Sequence, residues 1–182
     1  KLNPTAVASH LLLSIALIYG AVVLNERSRD YPKASKLTHA GVLLVRVVFS
    51  LTLLIIIVGT VVTGTGPHAG DQAAPRFNFD IREVTWLHAD LVIALCGAIF
   101  ALYLLLKLAP ISTSPEARAN HLKLLRTFII LVLIQGGIGY LQYFTGVPII
   151  LVGLHLLGLC LVWLTACKLL IRTSSKRDSK LA

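Results

Sequence analysis

Residues 40–63 read AGVLLVRVVFSLTLLIIIVGTVVT and carry one charged side chain, that of Arg46. A helix needs about 20 mostly apolar residues to cross the hydrocarbon core of a bilayer, and this run meets that length. Its β-branched part, residues 53–62, resembles a strand, but an open sheet edge cannot face lipid because its backbone groups would be unpaired. The run therefore predicts a membrane-spanning helix.

Four further apolar runs have the same character; they are residues 6–24, 86–106, 124–144 and 149–171. The chain has 182 residues, of which 56% are hydrophobic and 14% charged, and its mean hydropathy is +0.81. Soluble domains carry about 25% charged residues, so this composition excludes a soluble globular domain, a disordered chain and a disulfide scaffold. We expect an all-α, polytopic membrane protein with five transmembrane helices.

The formal net charge of +9 comes mainly from three basic segments, residues 27–36, 107–126 and 168–180. With five spans, all three segments lie on one side of the membrane. The positive-inside rule then places the N-terminus outside and the C-terminus in the cytoplasm. Because topology accounts for most of the net charge, we predict lipid as a partner and no nucleic acid.

The chain repeats a pattern. Arg46 is followed thirteen residues later by Gly59, and Arg126 is followed thirteen residues later by Gly139. In both cases the next apolar run contains a Leu-His step. We therefore predict that residues 40–172 are two copies of one helical hairpin, which together form an up-down four-helix bundle.

The first 25 residues match the second half of such a hairpin, because His10-Leu11-Leu12 matches residues 155–157. We expect residues 1–25 to be the last helix of a truncated N-terminal half, with further helices upstream. Residues 26–39 are predicted to be a cytoplasmic linker, and residues 173–182 a basic cytoplasmic tail.

Three of the six histidines, His10, His88 and His155, lie in helices that enter from the same side, each within about ten residues of the boundary. An ionisable side chain at that depth is costly unless it is partnered. A lone histidine would be explained by a hydrogen bond to a backbone carbonyl, whereas three at one depth favour metal ligation. No carboxylate or cysteine cluster accompanies them, so the predicted metal is iron that arrives in a heme and needs only one or two imidazoles.

In the predicted bundle the helices of His88 and His155 are diagonal. With neighbours roughly 8–10 Å apart, the diagonal leaves room for imidazole, iron and imidazole. We therefore predict that both histidines ligate one heme. Four glycines of the adjacent helices either make room for the flat macrocycle or serve ordinary helix packing. They are Gly59, Gly136, Gly137 and Gly139.

The outer loop supplies further candidates. Arg76 and Arg82 are predicted either to pair with the heme propionates or to be solvated loop charges. His68 and Asp71 either touch a substrate, metal or partner or belong to a plain turn in a lid over the bundle. Asp90 either supports the nearby histidine ligand or is an ordinary charge in the first turn of a helix.

Simpler roles are expected for the remaining polar residues and for the cysteines. Gln135 and Gln142 are predicted to bridge helices or approach the cofactor, and Arg46 and Arg126 to snorkel to the membrane surface. His39 is placed at a helix edge and His121 in a cytoplasmic loop, so neither requires a buried partner. The three cysteines are interpreted as small packing residues. They are Cys96, Cys160 and Cys167.

Four motifs, in this order along the chain, resemble the C-terminal half of bacterial heme A synthase, a cytochrome oxidase assembly enzyme. They are TVVTGTGPHAGD (60–71), LHAD (87–90), IQGGIGYLQYFTGVP (134–148) and LVGLHLLG (151–158). The opening LNP (2–4) followed by His10 resembles the end of that family's N-terminal half. The resemblance extends to about residue 171.

The family has eight membrane helices in two similar halves and oxidises a methyl group of heme O to a formyl group, giving heme A for terminal oxidases. The resemblance implies that His88 and His155 are the axial pair of a heme b that relays electrons. It implies that His10 belongs to the site of the substrate, heme O. The resemblance implies heme O synthase and a terminal oxidase as partners. Whether the protein forms a homo-oligomer is left open.

This chain lacks the first three helices of the family pattern, and with them the other N-terminal histidine, the acidic residue before it and the outer-loop cysteines. The catalytic residues are therefore unknown, and we expect the piece to be inactive alone although the intact protein would be an oxidoreductase. A non-enzymatic membrane cytochrome b, an electron-transfer subunit, is the alternative, but it would usually place hemes near both faces. A transporter is disfavoured because no helix is broken and no acidic residue lies mid-membrane; a heme-free assembly factor would gain support if no heme were bound.

Overall fold

The computed structural model describes residues 3–28, 37–67, 74–108 and 115–174, excluding the side chains of residues 115–117 and 174. These residues form five helices and no strand. The helices are α1 (Pro4–Ser28), α2 (His39–Thr65), α3 (Ile81–Leu108), α4 (Pro115–Thr145) and α5 (Ile149–Ser174). Each is long and apolar enough to cross a membrane. The predicted all-α class with five spanning helices is confirmed.

Polar side chains begin two of the helices. The Thr38 hydroxyl accepts a hydrogen bond of 3.2 Å from the backbone N–H of Gly41, at the start of α2. The Asp80 carboxylate accepts from the N–H groups of Arg82 (2.7 Å) and Glu83 (3.3 Å) at the start of α3. The first N–H groups of a helix have no partner within it, so these caps explain why both helices begin before their apolar runs.

Helix α4 begins before the apolar run at residue 124, because its polar residues 115–123 continue the helix. The Arg118 guanidinium donates to the backbone carbonyls of Leu106 (2.8 Å) and Lys107, which the last turn of α3 leaves unpaired. His121 therefore lies in a helix and is 6% exposed. We expected His121 to lie in a loop and to need no buried partner, and this prediction is wrong. Hydropathy identifies only the apolar part of a helix and does not detect its polar first turns.

Helices α2 to α5 form a closed ring. Each packs against the next, α5 returns to pack against α2, and among the described residues the diagonal pairs α2/α4 and α3/α5 do not pack directly on each other. We call the end with the α2–α3 and α4–α5 connections the turn end, and the opposite end the tail end. The predicted four-helix bundle is confirmed, and α3 and α5 are diagonal in it.

The closely packed core of this bundle lies in its tail half. The fully buried side chains there come from all four helices. They include Val48, Leu102, Leu125, Phe128 and Leu169. Burial of this kind stabilises by roughly 1.5–3 kcal/mol for each large side chain. The tail half therefore holds the four helices together.

Helix α1 packs on the outside of the bundle, against α2 and α5. The Trp163 indole N–H donates to the Ile15 carbonyl (2.9 Å), and the Trp163 ring lies 5.0 Å from the Phe49 ring, centroid to centroid. At the tail end Arg172 forms two hydrogen bonds, of 2.8 and 3.1 Å, with the carboxylate of Glu26. The bond and the ion pair join α1 to the last helix.

The two connections at the turn end differ. In the first, the Phe77 ring lies directly on Gly64, and the Phe77 N–H donates to the Gly64 carbonyl (2.9 Å). The second is a tight turn in which Gly146 has φ +74° and Val147 has φ 59°. The Val147 N–H donates to the Gln142 carbonyl (2.9 Å) and closes the turn.

The helices extend slightly past the predicted domain boundaries. Helix α1 includes residues 26–28, and α5 includes residues 173–174. The remainder of the predicted tail and most of the predicted linker lie outside the described residues.

Candidate functional site

His88 and His155 lie on the diagonal helices α3 and α5, in the turn half of the bundle. Both side chains are partly buried. The Nδ1 atom of each ring is buried and forms no hydrogen bond. The structure thus places both histidines in the same half of the bundle, on the diagonal helices that the sequence analysis expected.

The unpaired Nδ1 atoms are energetically unfavourable as they stand. A buried polar atom without a partner costs about 1–3 kcal/mol, so native proteins contain few of them. In the described part of the chain these two are the only buried side-chain nitrogen or oxygen atoms without a hydrogen bond. The two atoms occupy equivalent positions in the two hairpins, and the Nδ1 atom of His88 lies on the edge of its ring that faces α2.

A glycine lies beside each ring. A Cβ atom at Gly59 would lie 3.2 Å from Cε1 and 3.6 Å from Nδ1 of His88. A Cβ atom at Gly139 would lie 3.7 Å from Cε1 of His155. The arginine-to-glycine spacing of the repeat therefore places each glycine against the histidine of its own hairpin. Gly59 makes room for the His88 ring, a role that the sequence analysis missed, whereas the distance at Gly139 is that of an ordinary contact.

The bundle interior around the two histidines lacks a closely packed core. No residue of α3 before Leu95, of α4 after Val132 or of α5 before Gly158 is buried. Gly136 and Gly137 have no atom of a neighbouring element within 4 Å of where a Cβ would be. A flat macrocycle fits the chemistry of this region: two imidazole donors on opposite helices and no side-chain core between them.

His10 is exposed on α1. Among the described residues, no group of three or more His, Cys, Asp or Glu side chains could hold a metal ion. The site is therefore a pair of histidines, which suits a metal whose other positions are filled by a macrocycle better than a zinc ion, which takes three or four protein ligands.

The two arginines of the turn end have different surroundings. Arg76 is half-buried and lines a cavity of about 120 Å³ beside Thr60 and Thr63, between α1 and α2. Arg82 is exposed, and its guanidinium lies 4.7 Å from the centre of the Trp86 ring, a cation–π contact. Pairing of either arginine with a propionate stays a prediction.

Five other candidates have mixed outcomes. Asp90 is exposed. The Gln135 amide lies directly against Gly158, between α4 and α5, as a helix-bridging side chain would. Gln142 is half-buried. His68 and Asp71 lie outside the described residues.

The cysteines are free and occupy three environments. Cys167 is buried with Trp163 in the apolar cluster that joins α1 to α5, as the packing interpretation expects. Cys160 is half-buried. Cys96 is exposed and lines an apolar groove between α3 and α4, so the packing interpretation is wrong for it. The apolar residues around Cys96 in the sequence occur both on helix faces that pack in a core and on faces turned toward lipid, so they do not distinguish the two.

His39 and the two repeat arginines lie where the sequence places them. His39 is the first residue of α2 and is exposed. Arg46 and Arg126 are exposed, as snorkelling side chains would be.

The fold and the site together define a multi-pass membrane protein in which a four-helix bundle holds a histidine pair in one half. Comparison of the chain with protein-family models, with curated proteins and with solved structures finds no match.

Proposed function

We propose that His88 and His155 are the two axial ligands of one heme b, and that the chain is the electron-relay half of a heme A synthase. One observation carries the proposal. Two partly buried imidazoles lie on diagonal helices at equivalent positions of the repeat, in the half of the bundle where α3, α4 and α5 bury no residue. When bound, the heme would supply one-electron transfer.

The order of the four motifs at residues 60–71, 87–90, 134–148 and 151–158 supports the reaction. The intact oxidoreductase would oxidise a methyl group of heme O to a formyl group, and the heme A would pass to terminal oxidases. Heme O synthase and a terminal oxidase are the proposed protein partners. His10 is the proposed ligand of heme O, together with helices upstream.

The residues of this chain bind and orient the cofactor. The two histidines would hold the iron, and Gly59 leaves space for the ring of His88. Arg76 and Arg82 are the only arginines in the described part of the turn end, so they are proposed to pair with the two propionate carboxylates. No residue of this chain is assigned as a catalytic acid or base.

The first test is the reduced-minus-oxidised visible spectrum of the full chain purified in detergent. We expect a low-spin b-type spectrum that is lost in both H88A and H155A. H10A and H39A are matched controls, because both side chains are exposed, and they should keep the spectrum. A wild-type chain that takes up no heme, even after reconstitution, would refute the proposal.

A second test separates the relay half from a non-enzymatic cytochrome b. The chain is co-expressed with the N-terminal half of a heme A synthase in bacteria that lack the enzyme, and heme A is measured in acid–acetone extracts. We expect heme A with the wild-type chain and none with H88A. A heme-loaded wild-type chain that gives no heme A would favour the cytochrome b subunit.

The proposed location is the bacterial cell membrane, with the turn end and the N-terminus outside. This orientation rests on the basic residues at the tail end. Alkaline phosphatase fused after residue 67 should be active, and fused after residue 174 it should be inactive. The reverse pattern would invert the proposed topology.

A further inference from the structure

The two histidines of the site are not held alike. Ordinary contacts between carbon atoms are about 3.5–4.0 Å long. A Cβ at Gly139 would meet His155 at 3.7 Å, which is such a contact, whereas a Cβ at Gly59 would meet His88 at 3.2 Å. The His88 ring therefore occupies space that a Cβ atom at position 59 would need, whereas the His155 ring leaves room for a Cβ atom at position 139.

The backbone beside His88 is fixed from two directions. The Gly59 carbonyl accepts a hydrogen bond of 3.0 Å from the Thr63 hydroxyl, within α2. One turn earlier, Ile56 is 3% exposed and packs in the cluster that contains Ile15 and Trp163. Because α2 is held in this way, added volume at Gly59 must displace the ring and not the helix.

The backbone beside His155 has no comparable support. Gly139 lies in the part of α4 that follows Val132, where no residue is buried. A methyl group at Gly139 meets the His155 ring at normal contact distance, and α4 has space to adjust. The same substitution at equivalent positions of the repeat should therefore have different consequences.

We infer that Gly59 is a positioning residue that sets the orientation of the His88 ring on the heme iron, whereas its repeat equivalent Gly139 does not set that of His155. The inference rests on the proposed heme site. In a low-spin iron with two imidazole ligands, the angle between the ring planes determines the g values of the EPR spectrum, and groups that orient a ligand tune the metal. One ligand is rigidly oriented, and the other adapts to the macrocycle.

The test compares three alanine variants of the heme-loaded full chain. G59A adds a methyl group against the His88 ring, G139A adds one at ordinary contact distance from His155, and G97A adds one in open space on α3. Alanine favours a helix over glycine by about 1 kcal/mol, so a loss in G59A cannot come from a weaker α2. Heme affinity, low-temperature EPR and midpoint potential are measured for each.

We expect G59A to shift the largest g value and to bind heme roughly tenfold more weakly, the size of effect that overpacking produces. G139A and G97A should match the wild type in both measurements. If the wild type binds heme through both histidines and G59A matches it in g values and affinity, the inference is wrong while the proposed function stands. If the wild type binds no heme, the proposed function itself fails.

A second pair of variants keeps the test decisive if G59A does not fold. H88G removes the ring, and free imidazole supplies the missing ligand. In this background the added methyl group of G59A has no tethered ring to displace, so G59A/H88G and H88G should take up heme equally with imidazole. A defect that persists in the double variant would show that Gly59 does not act through His88, and would overturn the inference.

Discussion

The α2–α3 and α4–α5 hairpins share a sequence pattern, an arginine, a glycine thirteen residues later and a Leu-His step, but the structure holds them differently. In α2–α3 a phenylalanine ring lies on Gly64, and the histidine ring meets its glycine tightly. In α4–α5 a flexible glutamine side chain lies on Gly158, and the histidine ring meets its glycine at ordinary contact distance. The first hairpin is the more constrained.

Helix α1 adds a second difference between the hairpins. It is joined to α5 by the Trp163–Ile15 hydrogen bond and the Arg172–Glu26 ion pair, whereas it packs on the apolar side chains of Phe49 and Ile56 in α2. A repeated pattern therefore sets where each histidine lies, while the neighbours of each copy set how firmly its ring is held. The predictions below test this distinction.

The largest effect is expected at the ion pair. The side chain of Glu26 is 3% exposed and that of Arg172 is 27% exposed. R172L leaves a buried carboxylate without its partner and should lower the free energy of unfolding by about 3 kcal/mol. The double variant E26L/R172L should recover most of that loss, because no charge then stays buried. F49L, on the other hairpin, should cost less than about 1.5 kcal/mol.

Denaturant unfolding in detergent micelles, followed by circular dichroism, measures these three variants. An R172L variant no less stable than F49L would contradict the view that α1 is held mainly through α5.

An intermediate effect is expected where side chains cover glycines. A Cβ at Gly64 would collide with the Phe77 ring, so G64A should destabilise by about 1–2 kcal/mol. At Gly158 the obstacle is the end of the flexible Gln135 side chain, which can move away, so G158A should stay within about 0.5 kcal/mol of the wild type. The readout is the midpoint of thermal unfolding.

A control variant assigns the G64A effect to the ring. If the collision with Phe77 causes the loss, G64A/F77A should be no less stable than F77A alone. Equal destabilisation by G64A and G158A would remove the proposed difference in rigidity between the hairpins.

The smallest effect is expected at the turns. Gly146 has φ +74°, a conformation that costs an L-residue about 1–2 kcal/mol, so G146A should destabilise by about 1 kcal/mol. Gly66 ends α2 with φ −73°, which any residue adopts, so G66A should cost less. Limited proteolysis of the turn end, compared between the two variants, provides the measurement. A G66A variant cleaved faster than G146A would reverse the expected order.

Much of the fold follows from hydropathy and repetition. Five apolar runs of spanning length predict the five helices, and the repeat predicts two hairpins whose histidine-bearing helices α3 and α5 are diagonal. The helix ends do not follow from hydropathy. Caps at Asp80 and Thr38 and the polar residues 115–123 lengthen the helices without adding apolar residues.

The site is predictable in part. The depth of His88 and His155 in their helices pairs them, but the contact of Gly59 with a ring depends on side-chain packing between helices, which spacing alone cannot give. The Glu26–Arg172 pair joins residues 146 positions apart, and no local pattern connects them. The paired glycines of the repeat are the one sequence signal that pointed toward the ring contacts.

That ion pair has a consequence for how the protein is made. Glu26 enters the growing chain 146 residues before Arg172, and synthesis at ~5–20 residues per second separates the two by roughly 7–30 s. During this interval the partner of the carboxylate has not yet been synthesised, so we expect Glu26, in the last turn of α1, to keep its charge hydrated at the membrane surface. The final docking of α1 is therefore timed by the arrival of the last helix.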